Sequence, residues 1–584
     1  MQGRSPGGLP LGLRAETRSL RTENVQKDSR GNCVKKAILV IVSVLVIMIS
    51  GAAYVMRDLI FMYLPETKEA DLQQVLQVSG EETAVFYQDR LESVTGITRD
   101  GQVYLPIEWV NRVLNEKFYW DDEEKLLVYT LPETIVYADK RTVGSTGLPL
   151  LLAENDTIYL SLSLIAGYTP LESLSYLQGE GKRVYLDDRF ADHPAALAAG
   201  RAAVRVRGGI KSQILTRLEK GDRVYILEEL EEWSKVRTGD GLIGYVRKKA
   251  LRDHYTEPAA QKPEEPVYRS LSLGEPVCLV FHQVTESTEN GRIGQLLAGT
   301  EGINVVVPTW FSLTDSEGAY DSFADASYVA KLHEKGIQVW ASLENVNHTK
   351  SVNNTRLFSR TSVRQKLISS LIADAETYDL DGINLDIESL TQTAGGHYVE
   401  FIRELSTACR KAGLILSIDN YVPASYNAFY NRREQGRVAD YLIIMGYDEH
   451  YSGSDPGSVA SYPFVRAGIE DTLAEVPKEK VINAFPFYTR IWTVKDGKTS
   501  SRAVSMKKAA EWISGNKVSL EWLDEEQQYY GELTEKGSRQ MIWLEDLQSL
   551  RAKLELIREY DIAGAAFWKL GLEDEGVWSL IQGE

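Results

Sequence analysis

The sequence predicts an α/β chain whose second half is a (β/α)8 TIM barrel with a small α+β insertion. Ahead of the barrel it places a small β-barrel, a duplicated α+β domain and an N-terminal transmembrane helix. Three observations carry this reading. From Pro276 onward eight short apolar runs alternate with helical stretches, the pattern of a closed parallel barrel. One of them, 381–388, reads D-G-I-N-L-D-I-E: Ile383, Leu385 and Ile387 alternate with Asn384, Asp386 and Glu388, the period-2 signature of a strand. And 37–56 is a run of twenty uncharged residues, long enough to cross a bilayer as a helix.

Residues 1–36 hold eight Lys or Arg against three acids, so the positive-inside rule keeps this tail in the cytoplasm and exports the chain beyond Arg57. The expected location is the cell membrane, single-pass, with the C-terminal domains extracellular. A cleaved signal peptide ending near Ser50-Gly51-Ala52-Ala53 is the competing reading. Residues 82–190 contain two strand–helix–strand units, 102–129 and 157–186, about 55 residues apart, the mark of duplication. This stretch resembles the domain named after the copper amine oxidase N-terminus. None of the seven histidines falls in it, so a structural or wall-binding role is expected. An Ala-rich link, 194–203, leads to alternating segments at 204–207, 223–227, 233–237 and 244–246, with turns at Gly221-Asp222 and Gly239-Asp240-Gly241. The unit 202–252 is similar to bacterial Src-homology-3-type domains, a resemblance that implies contact with cell-wall peptides. Residues 253–269 have the Pro- and Glu-rich composition of a linker.

The barrel strands are expected at 277–281, 303–308, 337–342, 382–388, 414–418, 441–445, 481–485 and 562–568, inside a domain spanning 270–584. Helices are expected at 362–378, 398–412 and 545–560, with Gly336 and Gly413 where a helix must stop. The gap between strands seven and eight is too long for one helix, so 492–542 is expected to form an inserted α+β wall.

Bulk properties narrow the function. A chain of 584 residues should hold three to four units. A net charge of −18 is the opposite of a nucleic-acid footprint. Cys33, Cys278 and Cys409 make no disulfide framework. Nothing shows ligand spacing for a metal, and no cofactor is implied.

In a TIM barrel the chemistry lies at the C-terminal ends of the strands, where Asp386 and Glu388 fall. Strand six ends Met445-Gly446-Tyr447-Asp448, strand seven is followed by Tyr488, strand eight ends at Trp568, and Trp310 follows strand two. Carboxylates ringed by aromatics suit a sugar site, because apolar shielding keeps a carboxyl protonated and able to donate. D-G-I-N-L-D-I-E resembles the D-G-x-D-x-D-x-E signature of glycoside hydrolase family 18, and Met445-Gly446-Tyr447-Asp448 matches its M-x-Y-D. The C-terminal region is most similar to the spore-germination, cortex-lytic branch. The resemblance implies that Glu388 is the general acid, that Asp386 and Tyr447 hold the substrate's acetamide, and that Asn384 and Asp381 support them. Trp568, Met445, Asp448, Tyr488 and Trp310 would contact the glycan. Asn384 departs from the family's aspartate and is expected to hydrogen-bond Asp386 without taking its proton. The implied substrate is peptidoglycan or a chitin-type N-acetylglucosamine polymer, cut by a retaining, substrate-assisted mechanism. A silent, lectin-like wall scaffold and a chitinase stay open beside it.

Overall fold

The computed structural model describes residues 25–535 and 537–582; most of the basic tail, 1–24, lies outside the described residues. The first helix, Val25–Tyr63, runs past the expected span at both ends. Its stretch Val34–Tyr63 is long and apolar enough to cross a membrane, and the described side chains along it are exposed.

The α+β domain is a seven-stranded sheet in the order Leu151–Glu154, Thr157–Ser161, Gln102–Pro106, Arg90–Arg99, Glu82–Tyr87, Arg183–Asp187, Glu172–Tyr176. The equivalent strands of the two repeats pair antiparallel, Tyr104 opposite Ser161, and each runs into a seven-residue helix, Ile107–Val113 or Leu162–Tyr168. The last strands diverge. Arg183–Asp187 returns to the main sheet, whereas Leu126–Thr130 joins Tyr119–Asp121 and Ile135–Ala138 in a separate three-stranded sheet.

The small β domain is larger than 202–252. Its seven strands include His193–Ala198, within what reads as an Ala-rich link, and Leu251–Glu257, placed by composition in the linker. Ala195, Ala196 and Ala198 are buried between Arg223–Glu229 and Leu251–Glu257. Alanine carries little strand preference of its own, so tertiary pairing decides this segment. Ile214–Leu218 is a further strand without clean alternation. The turn 239–241 plugs into the α+β domain: Arg183 Nε and Tyr185 Oη donate to the Gly241 carbonyl at 3.0 and 2.5 Å. Gly241 has φ +73°, and a Cβ there would overlap the Tyr176 ring.

The barrel closes as expected. Its strands are β1 Val277–His282, β2 Val305–Pro308, β3 Gln338–Glu344, β4 Gly382–Asp386, β5 Ile415–Tyr421, β6 Tyr441–Met445, β7 Val481–Pro486 and β8 Gly564–Trp568. Each pairs parallel with the next, and β8 returns to β1 through Val277 opposite Gly564. The approach at Gly564 admits no side chain, since a Cβ would sit 2.0 Å from the Val277 carbonyl oxygen. The insertion is wider than 492–542. Its five antiparallel strands run from Tyr488–Lys495 to Ser538–Leu544, with the helix Met506–Asn516 among them.

The α+β domain is seated on the barrel through its three-stranded sheet. Asp121 Oδ2 accepts from Thr361 N at 2.6 Å and Thr361 Oγ1 at 2.7 Å, satisfying one free N–H at the start of the helix Thr361–Tyr378. Tyr119 Oη meets the Ser359 carbonyl at 2.9 Å and His397 Nδ1 at 2.7 Å. Thr130 Oγ1 donates to Glu400 at 2.9 Å. Arg364 and Glu404 form an ion pair at 2.8 Å with both side chains 0% exposed, and the Arg364 guanidinium lies 4.7 Å from the Tyr119 ring centroid. The two helices gripped here, Thr361–Tyr378 and Gln392–Ala412, lead into and out of β4.

Candidate active site

β4 sorts its side chains by alternation. Ile383 and Leu385 are fully buried in the main core, while Asn384 and Asp386 share the opposite face. Glu388 lies two residues past the strand end and is clipped by Asn345. That amide donates to the Glu388 carbonyl and accepts from the Glu388 N–H, both at 2.9 Å. Tyr430 Oη donates to the Ile387 carbonyl at 3.2 Å. Two side-chain clips thus hold the segment after β4 by its backbone and leave the Glu388 carboxyl to the site.

The Glu388 carboxyl accepts one hydrogen bond, from Tyr421 Oη at 2.6 Å. Burial raises its pKa first of all, the Tyr421 bond pulls it back, and Asp448 and Glu344 raise it further. Asp386 is held well above the ordinary carboxylate range by burial, then by Asp419, Glu388 and Glu344. Its Oδ1 is buried without a hydrogen-bond partner. Glu344, paired across from Asp386 on β3, is anchored by the N–H of Asn347 at 3.1 Å and by Asn347 Nδ2 at 2.7 Å.

A hydrogen bond to the carboxylate favours its ionised form, so removing the Tyr421 hydroxyl lets Glu388 hold its proton to higher pH. For Tyr421→Phe the alkaline limb of the kcat–pH profile is therefore expected to move upward. A limb that stays put, or moves down, would remove Tyr421 from the control of Glu388.

The other expected residues divide into two groups. Tyr447 is half-buried at the end of β6, its ring centroid 6.3 Å from that of Tyr488. Burial and the charges of Asp386 and Asp419 raise its pKa well above the usual phenol range, so the hydroxyl stays a donor. Met445 is buried beneath it. Asp448 Oδ1 accepts from Tyr488 Oη at 2.6 Å, with Arg490 Nη2 3.8 Å away. Trp568 is half-buried beside Phe281, centroids 5.4 Å apart. Asp448, Tyr488, Arg490, Trp568 and Lys569 line a cavity of about 490 Å³ between β8 and the inserted sheet. A hollow of similar size, about 530 Å³, opens around Val277 and Ile562, at the opposite end of the strands from Asp386 and Glu388.

Three expectations are corrected. Asp381 stands at the other end of β4, roughly 16 Å from Asp386 at about 3.3 Å per residue. Its Oδ2 accepts from Val339 N and meets His333 Nε2, each at 2.8 Å, so it latches the strand's start and does not reach the site. Trp310 is 0% exposed, donates Nε1 to Asn290 Oδ1 at 2.9 Å and packs edge-on to Tyr328; this core position offers no face to a sugar. Asn384 is not bonded to Asp386. Its Nδ2 donates to Ser417 Oγ at 3.1 Å and Asp419 Oδ1 at 2.9 Å.

Asn345, Asp419, Tyr421 and Arg490 are site residues that the motifs do not mark. Ser417, Asp419 and Tyr421 alternate with Ile418 and Asn420 on β5; the polar Asn420 weakens that signal, and the expected strand stops at 418. Among the described residues, no group of three or more His, Cys, Asp or Glu is placed to hold a metal ion.

Residues 279–573, just over half of the chain, match the family described as Glycosyl hydrolases family 18. The chain belongs to that family. Residues 200–252 match the family described as Bacterial SH3 domain. Among the relatives of this family-18 chain, the Cortical fragment-lytic enzyme of Bacillus subtilis (strain 168) is 29% identical over 235 residues, 38% of this chain and 54% of that protein. The Putative sporulation-specific glycosylase YdhD of the same organism is 27% identical over 232 residues, 38% of this chain and 55% of that protein. The chain thus spans about half the length of these two relatives. The crystal structure of the Bacillus megaterium QM B1551 spore cortex-lytic enzyme SleL superposes with a TM-score of 0.47 at 21% identity, over 56% of this chain and 77% of that one.

Proposed function

We propose that this family-18 chain is a membrane-anchored glycosidase that cuts β-1,4 bonds of N-acetylglucosamine in peptidoglycan outside the cell. The observation that carries the proposal is Glu388: a carboxyl at the barrel mouth, raised by burial, beside a second raised carboxyl, Asp386, at the end of β4. A proton donor beside a second carboxyl that can take the acetamide N–H is what acetamide-assisted cleavage requires.

In this scheme Glu388 gives its proton to the glycosidic oxygen as the bond to the anomeric carbon breaks. The substrate's own acetamide oxygen forms the new bond to that carbon, making a positively charged oxazolinium ring. Asp386 accepts the acetamide N–H and stands against the positive charge, and Tyr447 donates to the acetamide oxygen. Water then attacks the anomeric carbon, returns a proton to Glu388 and opens the ring, so configuration is retained. Trp568 offers the apolar face for the sugar being cleaved. Trp568→Ala is expected to weaken glycan binding by about 1–3 kcal/mol, the scale of one lost aromatic stack; calorimetric titration showing native affinity would take Trp568 out of the subsite.

Peptidoglycan is favoured because the two Bacillus subtilis relatives are called cortical fragment-lytic and sporulation-specific, and because the apolar helix near the basic tail would hold the barrel against a cell wall. Contact with wall peptides through residues 200–252 belongs to the same proposal. The test incubates the full-length chain, in detergent, with purified peptidoglycan and with chitin oligomers, reading products by reducing-end labelling and mass spectrometry. New N-acetylglucosamine ends from peptidoglycan support it. Cleavage of chitin alone would make the chain a chitinase, and binding without new ends would make it a glycan-holding scaffold.

A further inference from the structure

Position 384 is an amide, and the acid it cannot supply stands one strand away. On β5, Ser417 and Asp419 bond Asn384 and Tyr421 bonds Glu388, so the three share the inward face. Asn384 pairs with Ser417 and Leu385 with Ile418, so the next rung sets Asp419 beside Asp386, on strands about 4.8 Å apart. Asp419 is 4% exposed, and the Asn384 amide nitrogen fixes its Oδ1 at 2.9 Å. Asp419 is the foremost charge acting on Asp386, whose Oδ1 is buried with no hydrogen-bond partner.

The groups acting on the two acids are Glu344 from β3, Glu388 after β4, Tyr430 after β5, Tyr447 after β6 and Tyr398 from the helix Gln392–Ala412. All are acids or phenols, and no Lys or Arg is among them. Two neighbouring carboxyls, buried and without a cation, do not both ionise near neutral pH. Consistent with this, burial pushes Asp419 up to about 8, with Glu388 adding to the rise.

We propose that Asp419 is a positioning residue of this active site, sharing one proton with Asp386 and holding it while Asp386 stands as a carboxylate against the oxazolinium. The proton passes from the Asp386 carboxyl to the Asp419 carboxylate as positive charge develops, and returns when the ring opens; Asp419 makes no bond to substrate. Asn384 acts through Asp419, as the donor that orients it. This rests on the glycosidase reading of the site, and its test has one arm that needs no substrate.

That arm compares the thermal stability of the native full-length chain, in detergent, with Asp419→Asn across pH. A carboxyl raised in the folded state costs stability as pH climbs from its ordinary value, about 4, through its folded value. Asparagine has no proton to lose. The melting temperature of Asp419→Asn is therefore expected to gain on the native chain between about pH 4 and about 8. A gap that does not change with pH would overturn the proposal.

The kinetic arm uses whichever glycan the native chain cleaves. Asp419→Asn should lower kcat by about 10- to 100-fold, a modest share of what a proton-handling group supplies, with KM changed less than about twofold. The swap Asn384→Asp/Asp419→Asn puts the acid back on β4 and should recover most of the loss, which a merely structural role would not allow. Native kcat in Asp419→Asn, or a swap no better than the single variant, would overturn the proposal. Should the single variant fail to fold, the swap alone decides, by its kcat and by a melting temperature that again falls with pH. Failure of the glycosidase reading looks different: no turnover by the native chain, with the thermal comparison still able to go either way.

Discussion

Glu388→Gln is expected to reduce turnover by at least about 10²–10⁴-fold, the contribution of a positioned general acid, while glycan binding stays near native. The amide matches the carboxylate in shape, and the Asn345 clip holds the residue by its backbone alone, so position 388 keeps its place. Tyr421 can still donate to the amide oxygen. What disappears is the transferable proton. The substrate supplies its own nucleophile in this scheme, so no other carboxyl inherits the role. Asp386 is committed to the acetamide, and Asp448 is engaged by Tyr488 at 2.6 Å. Initial rates and equilibrium binding measured on one preparation separate the two effects. Native turnover would remove Glu388 as the acid, and a matching loss of binding would make it a substrate contact instead.

Arg364→Leu is expected to cost about 3–5 kcal/mol of stability, because it strands a buried carboxylate. Arg364 donates through Nε and Nη2 to Glu404 at 3.0 and 2.8 Å and through Nη1 to the Phe358 and Ser359 carbonyls. Burial already drives the Glu404 carboxyl up to about 7 against the pull of Arg364. Without the guanidinium, Glu404 must take up a proton or draw in water, and Tyr119 loses the cation beneath its ring. The helices on either side of β4 would loosen together with the sheet that covers them. Denaturant titration across two pH values reads the cost, with the deficit expected to shrink at low pH, where Glu404 is protonated. A change under about 1 kcal/mol, the range of an exposed ion pair, would mean that the interface is not a coupled unit. A fragment starting at the small β domain would open Glu400, Glu404 and Arg364 to solvent together.

The sequence announced the barrel because strong signals coincided. Eight β-branched, apolar strands separated by helices leave few alternatives, and β6 begins and ends where the pattern places it. The weak places share a cause, which is that distant partners decide them. His193–Ala198 is a strand only because two neighbours bury its alanines. The two α+β repeats look alike in sequence, yet one final strand leaves the main sheet because the barrel helices are there to receive it. At the site, alternation along β4 sets Asn384 and Asp386 on the face opposite Ile383 and Leu385, as the pattern predicts. Position within the motif misled for Asp381, since a strand places residues five apart at opposite ends of the barrel. Trp310 is an aromatic after a strand end, but its indole turns inward to Asn290. Asp419 and Tyr421 lie outside both signature motifs and beyond the expected strand end at 418, because Asn420 interrupts the apolar alternation of β5.

If Glu388 protonates the leaving oxygen while the substrate's acetamide attacks, the anomeric configuration of the first-formed product must show it. Proton NMR, recorded before mutarotation, follows that configuration as the full-length chain acts on an N-acetylated glycan that it cleaves. The β anomer is expected first, with no turnover when the acetyl group is missing from the sugar at the cleaved bond. An α anomer appearing first, or undiminished cleavage of the de-N-acetylated substrate, would contradict the acetamide-assisted scheme.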